Sequence, residues 1–142
     1  MTNNNKAPAS FYLLLVLVLF QGLSGLYGGI MLVLDPSGSL LQIPLNLLAE
    51  SPFHDYMVPG IILLVLLGIF PLVTGFGLWQ KHPRAGNGAF LTGIILVIWI
   101  AVQIAMVGYQ AKPPLQAIYG SVGVLILITV SVPPVRQYLR ST

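Results

Sequence analysis

The feature that most constrains this chain is a long uncharged stretch near its beginning. Residues 11–34, about 24 in all, include no acidic or basic side chain. A helix rises about 1.5 Å per residue, so one of this length crosses a hydrocarbon core of about 30 Å. A cleavable signal peptide would have a shorter apolar region, of roughly 7–15 residues, before a small-residue cleavage site. We therefore interpret the stretch as a retained membrane span.

Three further apolar segments follow, at about 56–79, 87–109 and 115–132. A hydrocarbon core offers no hydrogen bonds to the backbone, so segments of this length must be helices, because the strands of a membrane barrel are about half as long. The composition agrees, since 56% of the 142 residues are hydrophobic and only 6% are charged. Residues 1–142 are predicted to form a single transmembrane domain of the all-α class, a four-helix membrane bundle.

The connections predict how the four helices are arranged. Those at 80–86 and 110–114 are so short that consecutive helices must be antiparallel neighbours, which gives an up-down-up-down topology. Basic residues near helix ends favour the cytoplasmic side of a membrane. With both termini cytoplasmic, that side receives five of the six basic residues: Lys6, Lys81, Arg84, Arg136 and Arg140. The sequence thus predicts a multi-pass protein with a cytoplasmic N-terminus and C-terminus.

Small residues and one proline predict local features of these helices. Gly25 and Gly29, four residues apart in the first helix, and Gly123 in the fourth are small residues of the kind that allows helices to approach closely in lipid. Pro71 in the second helix has no N–H for the carbonyl four residues earlier, which predicts a bend there.

The long connection between the first two spans is expected to face outward, and it holds all three acidic residues: Asp35, Glu50 and Asp55. Its apolar middle, residues 40–50, is too short to span a membrane and too apolar for a solvated loop. It predicts a short helical segment on the outer interface. Ser51, as an N-cap, and Asp55, as an acid near the positive end of the dipole, are typical of the start of the second helix.

Two stretches carry a resemblance to known proteins: GGIMLVLDPSGSLLQIPLNLLAESPFHDYMVPG, which leads into the second helix, and the turn HPRAG. In these stretches the chain resembles a group of small uncharacterised bacterial four-helix integral membrane proteins. The resemblance covers most of the chain. It implies the same topology and a location in the bacterial inner membrane, and it implies no functional residue because the group has no motif of known activity.

The residue types present exclude several kinds of chemistry. Without cysteine there is no disulfide and no thiolate metal site. His54 and His82 are predicted on opposite sides of the membrane and cannot share a metal ion. No predicted span contains an ionisable acid, base or histidine, which disfavours an ion-coupled pump. We expect no cofactor and, in the absence of a basic stripe, no nucleic-acid partner.

Polar side chains of the spans concentrate in the predicted outer half. Trp99 and Gln103 lie at helical spacing on one face of the third helix, and Gln116 and Tyr119 begin the fourth helix on the same side. They serve either as hydrogen-bonded contacts between helices or as a pocket for a lipid or another lipophilic molecule. The predicted ligand-binding set is Trp99, Gln103, Gln116, Tyr119, Asp35 and Asp55.

Three functions are compatible with this pattern. The first is a non-catalytic bundle that binds a lipid, a lipophilic ligand or a membrane protein partner beneath its outer segment. The second is a membrane enzyme that uses His54 with Asp55 or Glu50 as acid and base on a lipophilic substrate. The third is a small uncoupled channel or transporter, which would require a homo-oligomer because four thin helices leave little room for a pore.

Overall fold

The computed structural model describes residues 6–41, 43, 45–49, 51–107 and 115–140, and over these the fold is all-α, as predicted. Two short 3-10 turns, Ser39–Leu41 and Leu45–Leu48, stand between the first two helices. The helices are α1 (Ala9–Leu34), α2 (Met57–Trp79), α3 (Ala85–Val107), α4 (Leu115–Ser131) and α5 (Pro133–Arg140).

Three helices, α1 to α3, are long and apolar enough to cross a membrane. The predicted spans at 11–34, 56–79 and 87–109 coincide with them to within two residues at each end that the structure describes. The fourth, at 115–132, corresponds to α4, whose 17 residues extend for about 26 Å, less than a hydrocarbon core of about 30 Å. A fourth span results only when α4 and α5, bent by 62°, count as one.

Neighbouring helices run antiparallel. Along the contact between α1 and α2, Gly22 faces Leu72 whereas Gly29 faces Leu64, so numbers that rise along one helix meet numbers that fall along the other. The same opposite order holds for the other neighbours. Between α2 and α3, Gly77 faces Ala85 and Gly88 faces Thr74; between α3 and α4, Gly93 faces Leu127 and Gly120 faces Ile100. Phe20 of α1 stacks on Tyr119 of α4, and Phe11 of α1 packs on Tyr138 of α5, which follows α4. Each of the first four helices therefore contacts two of the others.

The crossing of α1 and α2 brings backbone against backbone at Gly25. A Cβ atom there would lie only 1.9 Å from the carbonyl oxygen of Leu67, so the position requires glycine. Pro71 has no N–H for that carbonyl, and α2 accommodates the proline with a π-helical stretch, Val65–Ile69, at the place for which the sequence predicts a bend. Gln21 of α1 supplies the missing donor, because its Nε2 donates to the Leu67 carbonyl at 3.1 Å.

The long helices bury several polar side chains and leave many large apolar ones on the outer surface. Five polar side chains of the described residues are buried: Gln21, Thr74, Thr92, Gln116 and Thr129. The hydroxyls of Thr92 and Thr129 donate to carbonyls one turn earlier in their own helices. Among the side chains that are 47–67% exposed are Val16, Leu23, Val73, Phe76, Trp79, Phe90, Ile98, Val124 and Ile128. A soluble bundle would cover such a surface with charged residues.

The connection between α1 and α2 folds over the ends of these helices, and its described residues from 35 to 56 are called the cap below. Leu48 and Tyr56 are buried against Leu32 of α1, which orders the apolar middle of the segment. The predicted short helical segment takes the form of two short 3-10 helices, and Leu45 remains 43% exposed. Residues 42, 44 and 50, and with them the candidate Glu50, lie outside the described residues.

The start of α2 also differs from the prediction. The helix begins at Met57, six residues after the predicted N-cap, Ser51. The Ser51 hydroxyl donates to the carbonyl of Leu48 at 2.9 Å and accepts the N–H of Phe53 at 3.2 Å, so it closes a turn within the cap. Sequence pattern placed the helix start too early because serine followed by proline suits both structures.

At the other end of the molecule, α5 lies across the bundle. Pro133 and Pro134 follow the end of α4 and begin α5, where a first-turn proline is well tolerated. Val135 is fully buried, and the ring of Tyr138 lies 4.8 Å from that of Phe11 in α1. The last described residues therefore form an amphipathic helix with one side docked.

Candidate functional site

The cap holds two of the predicted site residues in local hydrogen bonds. Asp35 follows the last residue of α1, and its carboxylate accepts hydrogen bonds from the hydroxyls of Ser37, at 2.7 Å, and Ser39. The backbone N–H of Ser37 donates to the same carboxylate at 3.2 Å. These bonds, that of the Ser37 hydroxyl above all, hold the pKa of Asp35 below its ordinary value. Asp35 thus closes the turn after α1.

The candidate acid and base, His54 and Asp55, are both exposed. The Asp55 carboxylate accepts the backbone N–H of Met57 at 3.0 Å, which satisfies one of the free donors at the start of α2. Within the described part of the chain no hydrogen bond joins His54 to Asp55. Asp55 therefore closes an Asx turn just before α2, whose N-cap is Tyr56.

The four remaining predicted residues lie in the packed region between α3, α4 and α1. Trp99 and Tyr119 pack against the hydrophobic core, and the Tyr119 ring stacks on that of Phe20 with centroids 5.7 Å apart. Gln116 is buried and Gln103 half-buried. The structure therefore brings these four to neighbouring helices, whereas Asp35 and Asp55 belong to the cap. Residues 108–114, which connect α3 to α4, lie outside the described residues.

Gln21 is a residue whose importance the sequence does not show. Its side chain is 2% exposed, and while its nitrogen donates to the Leu67 carbonyl, its oxygen Oε1 is buried without a hydrogen-bond partner among the described residues. The free carbonyl could be inferred from Pro71, but its donor lies 46 positions away along the chain. Only the crossing of α1 and α2 reveals the pair.

A second region, not predicted, is an open groove between α5, the end of α4 and the first turns of α3. We call it the α5 groove. Its volume is about 570 Å³, within the range of roughly 300–1,000 Å³ that is usual for ligand sites. Its polar lining includes Asn87, Ser131, Arg136 and Arg140, and its apolar lining includes Phe90 and Val130.

The α5 groove is positively charged. Arg136 and Arg140 are exposed and stand four residues apart, on one side of α5. All three acidic residues of the chain belong to the connection between α1 and α2, which joins the bundle at its opposite end. Among the described residues, no aspartate or glutamate lies near the two guanidinium groups.

The turn between α2 and α3 packs against α5, the helix that forms one side of the α5 groove. Lys81 has a positive φ of 57°. Its N–H donates to the Leu78 carbonyl at 3.0 Å, and the N–H of His82 donates to that of Gly77 at 2.8 Å. This is a helix C-cap in which glycine is the usual residue. The Lys81 ammonium lies 4.1 Å from the centre of the Tyr138 ring, a cation–π contact that links the turn to α5.

A sequence signal for the α5 groove exists in retrospect. Directly after two prolines, residues 135–140 place Val135, Tyr138 and Leu139 at helical spacing, with Arg136 and Arg140 one turn apart, as an interfacial amphipathic helix does. Eight residues are too few for such a pattern to stand out from a polar tail. Comparison of the chain with known protein families, curated proteins and solved structures gave no match, so the functional argument rests on this geometry.

Proposed function

We propose that this chain is an integral membrane protein of the bacterial inner membrane, an up-down-up-down four-helix bundle with both termini cytoplasmic. In this proposal α4 provides the fourth span, and α5 follows it at the cytoplasmic interface. Its activity is to bind a membrane lipid, a lipophilic ligand or a membrane partner, with no chemical reaction.

The observation that carries the proposal is the outward-facing apolar surface of the long helices. Side chains as large as Phe76, Trp79 and Ile98 are more than half exposed, while Gln21 and Thr92 are buried. In water each large apolar side chain left exposed forgoes about 1.5–3 kcal/mol of burial. In lipid the same surface is the favourable one.

The distribution of charge supports the proposed orientation. Lys81 contacts Tyr138 of α5, and Arg84 lies in the turn that contains Lys81. The basic residues of the α2–α3 turn and of α5 are thus gathered at one end of the bundle, and Asp35 and Asp55 are at the other. The positive end belongs on the cytoplasmic side by the usual preference.

We propose a ligand site beneath the cap, between Trp99 and Gln103 of α3 and Gln116 and Tyr119 at the start of α4. Polar groups inside hydrocarbon are costly unless they are paired, and Gln116 and Tyr119 come at the start of α4, close to the membrane interface. Aromatic and amide side chains in that position suit an amphiphilic molecule with one polar end.

Purification in nanodiscs tests the ligand site. Trp99→Ala and Gln103→Leu are compared with Val102→Ala, an exposed position on the same helix, for thermal stability and for co-purifying lipid by native mass spectrometry. A binding site predicts changed occupancy in the first two variants, with stability restored by added lipid. Lost stability with unchanged occupancy would show instead that these residues only hold the helices together.

A further inference from the structure

We propose that the α5 groove binds the headgroup of an anionic phospholipid from the surrounding leaflet. The inference rests on the membrane location proposed above and not on the ligand site beneath the cap. It assigns a lipid site to the cytoplasmic end of the bundle, where the sequence indicates only orientation.

The direction of α5 places the groove at the membrane surface. The axis of α5 is bent by 62° from that of α4, so when α4 crosses the bilayer, α5 lies much closer to the membrane plane. Val135 anchors α5 to the bundle, and Arg136 and Arg140 extend from its exposed side. An amphipathic helix with this division of side chains is typical of the interfacial region.

The polar lining matches a phosphate. Guanidinium groups bind phosphate oxygens through two parallel hydrogen bonds, and the α5 groove presents two of them, Arg136 and Arg140. Asn87, in the first turn of α3, adds amide donors, and the positive end of the α3 dipole adds to the same field. Basic pockets between helices on the cytoplasmic side are a recognised setting for anionic headgroups.

The apolar lining distinguishes a lipid from a free phosphate ion. Phe90 is 47% exposed, and it shares the groove with Val130, near the end of α4. A soluble anion would gain nothing from these side chains. A phospholipid would place its phosphate against the arginines and its first acyl carbons along Phe90 and Val130, both of which belong to helices that enter the membrane.

The groove is held in shape before any ligand arrives. Tyr138 fixes α5 to α1 through Phe11 and to the α2–α3 turn through Lys81. Gly86 allows close packing, since a Cβ atom there would lie 3.2 Å from Cδ1 of Leu139. A site held by three helices loses little conformational entropy on binding, which favours affinity.

The experiment compares the full-length protein in nanodiscs of phosphatidylcholine with nanodiscs that contain phosphatidylglycerol, and counts retained lipids by native mass spectrometry after mild release. The test variant is the double substitution Arg136→Gln and Arg140→Gln. The matched control is Arg84→Gln, which removes an exposed basic residue from the same end of the bundle but not from the groove lining. We expect preference for phosphatidylglycerol to fall by about fivefold per arginine and to change less than twofold in the control.

A second variant keeps the test valid if the arginine substitutions disturb folding. Asn87→Asp places a carboxylate in the groove and in the first turn of α3, where an acid favours the helix. We expect its thermal stability to be maintained or raised while its preference for phosphatidylglycerol falls at least fivefold.

Each outcome decides the inference. Unchanged preference for phosphatidylglycerol in the arginine double variant or in Asn87→Asp would overturn it. If millimolar inorganic phosphate raised the thermal stability of the protein in phosphatidylcholine nanodiscs as much as phosphatidylglycerol does, the groove would be a site for a free anion, which would also overturn the inference. A chain that carbonate washing extracts from native membranes would overturn the membrane location itself. Firm membrane insertion without lipid preference would remove the α5 groove site alone.

Discussion

The charged side chains at the two ends of the bundle differ in whether they are hydrogen-bonded within the protein. In the cap, the carboxylates of Asp35 and Asp55 are bound by donors two to four residues away, and Tyr56 is buried to the point that its pKa is raised. At the other end, Arg136 and Arg140 line an open groove. The carboxylates of the cap are thus hydrogen-bonded within the cap itself, whereas the guanidinium groups of α5 are accessible to a binding partner.

The comparison suggests where function resides. Local hydrogen bonds explain the acidic residues of the cap as the means by which a short connection turns between two helices. Within the described part of the chain, no such hydrogen bond involves the side chains of Arg136 and Arg140, on the same side of α5. A structural interpretation is therefore sufficient for the capped end, whereas the α5 groove is the site at which we propose a ligand.

The largest expected effect comes from the crossing that joins the two ends. Gly25→Val would force a side chain against the Leu67 carbonyl and separate α1 from α2, at a cost of about 3 kcal/mol or more. Both ends should loosen together, as measured by unfolding in SDS followed by tryptophan fluorescence. The control is Gly28→Ala, whose Cβ atom would meet only Cδ2 of Leu63 at 3.1 Å. Similar losses in the two variants would contradict the role assigned to the crossing.

A smaller effect, confined to one end, is expected from Tyr138→Ala. It removes the contacts with Phe11 and with Lys81, together worth about 2 kcal/mol, and should release α5 without disturbing the cap. Hydrogen exchange should accelerate over residues 133–140 and remain slow in the first turns of α2. Gln137→Ala, at an exposed neighbouring position, should change neither. Acceleration at both ends would mean that the two regions are not independent.

The smallest effect concerns the pH response of the cap. Because the folded state lowers the pKa of Asp35, the ionised carboxylate stabilises the fold at pH values above its unfolded pKa, and this contribution disappears as the pH falls through the folded pKa. In the double variant Ser37→Ala and Ser39→Ala the pKa of Asp35 should rise towards 3.8. Carbon NMR of the Asp35 carboxyl group measures it, and an unchanged midpoint would show that the serine hydroxyls are not the cause.

The sequence predicts the long helices well because their signal is uninterrupted apolar length. The fourth helix is less well determined, since the proline pair that ends α4 also begins α5 and no composition rule separates a tail from an eight-residue helix. The start of α2 was predicted too early because Ser51 and Pro52 fit a turn equally well. In each case a local pattern allowed two structures, and contacts with distant residues selected one.

The predicted ligand set shows the same limit. Trp99, Gln103, Gln116 and Tyr119 are correctly expected on neighbouring helices, because helix order and spacing determine that. The bond between Gln21 and the Leu67 carbonyl, and the groove formed by Arg136 with Asn87, depend on how helices cross. Such pairings arise from three-dimensional packing and leave no periodic trace in one sequence.

The central claim is that the capped end and the α5 end face opposite sides of a membrane. The chain has no cysteine, so single substitutions His54→Cys and Gln137→Cys, both at exposed positions, can report each end with an impermeant maleimide on sealed cells. The account predicts labelling at position 54 in intact cells and at position 137 only after permeabilisation. Labelling of position 137 in intact cells, or of neither position before permeabilisation, would contradict it.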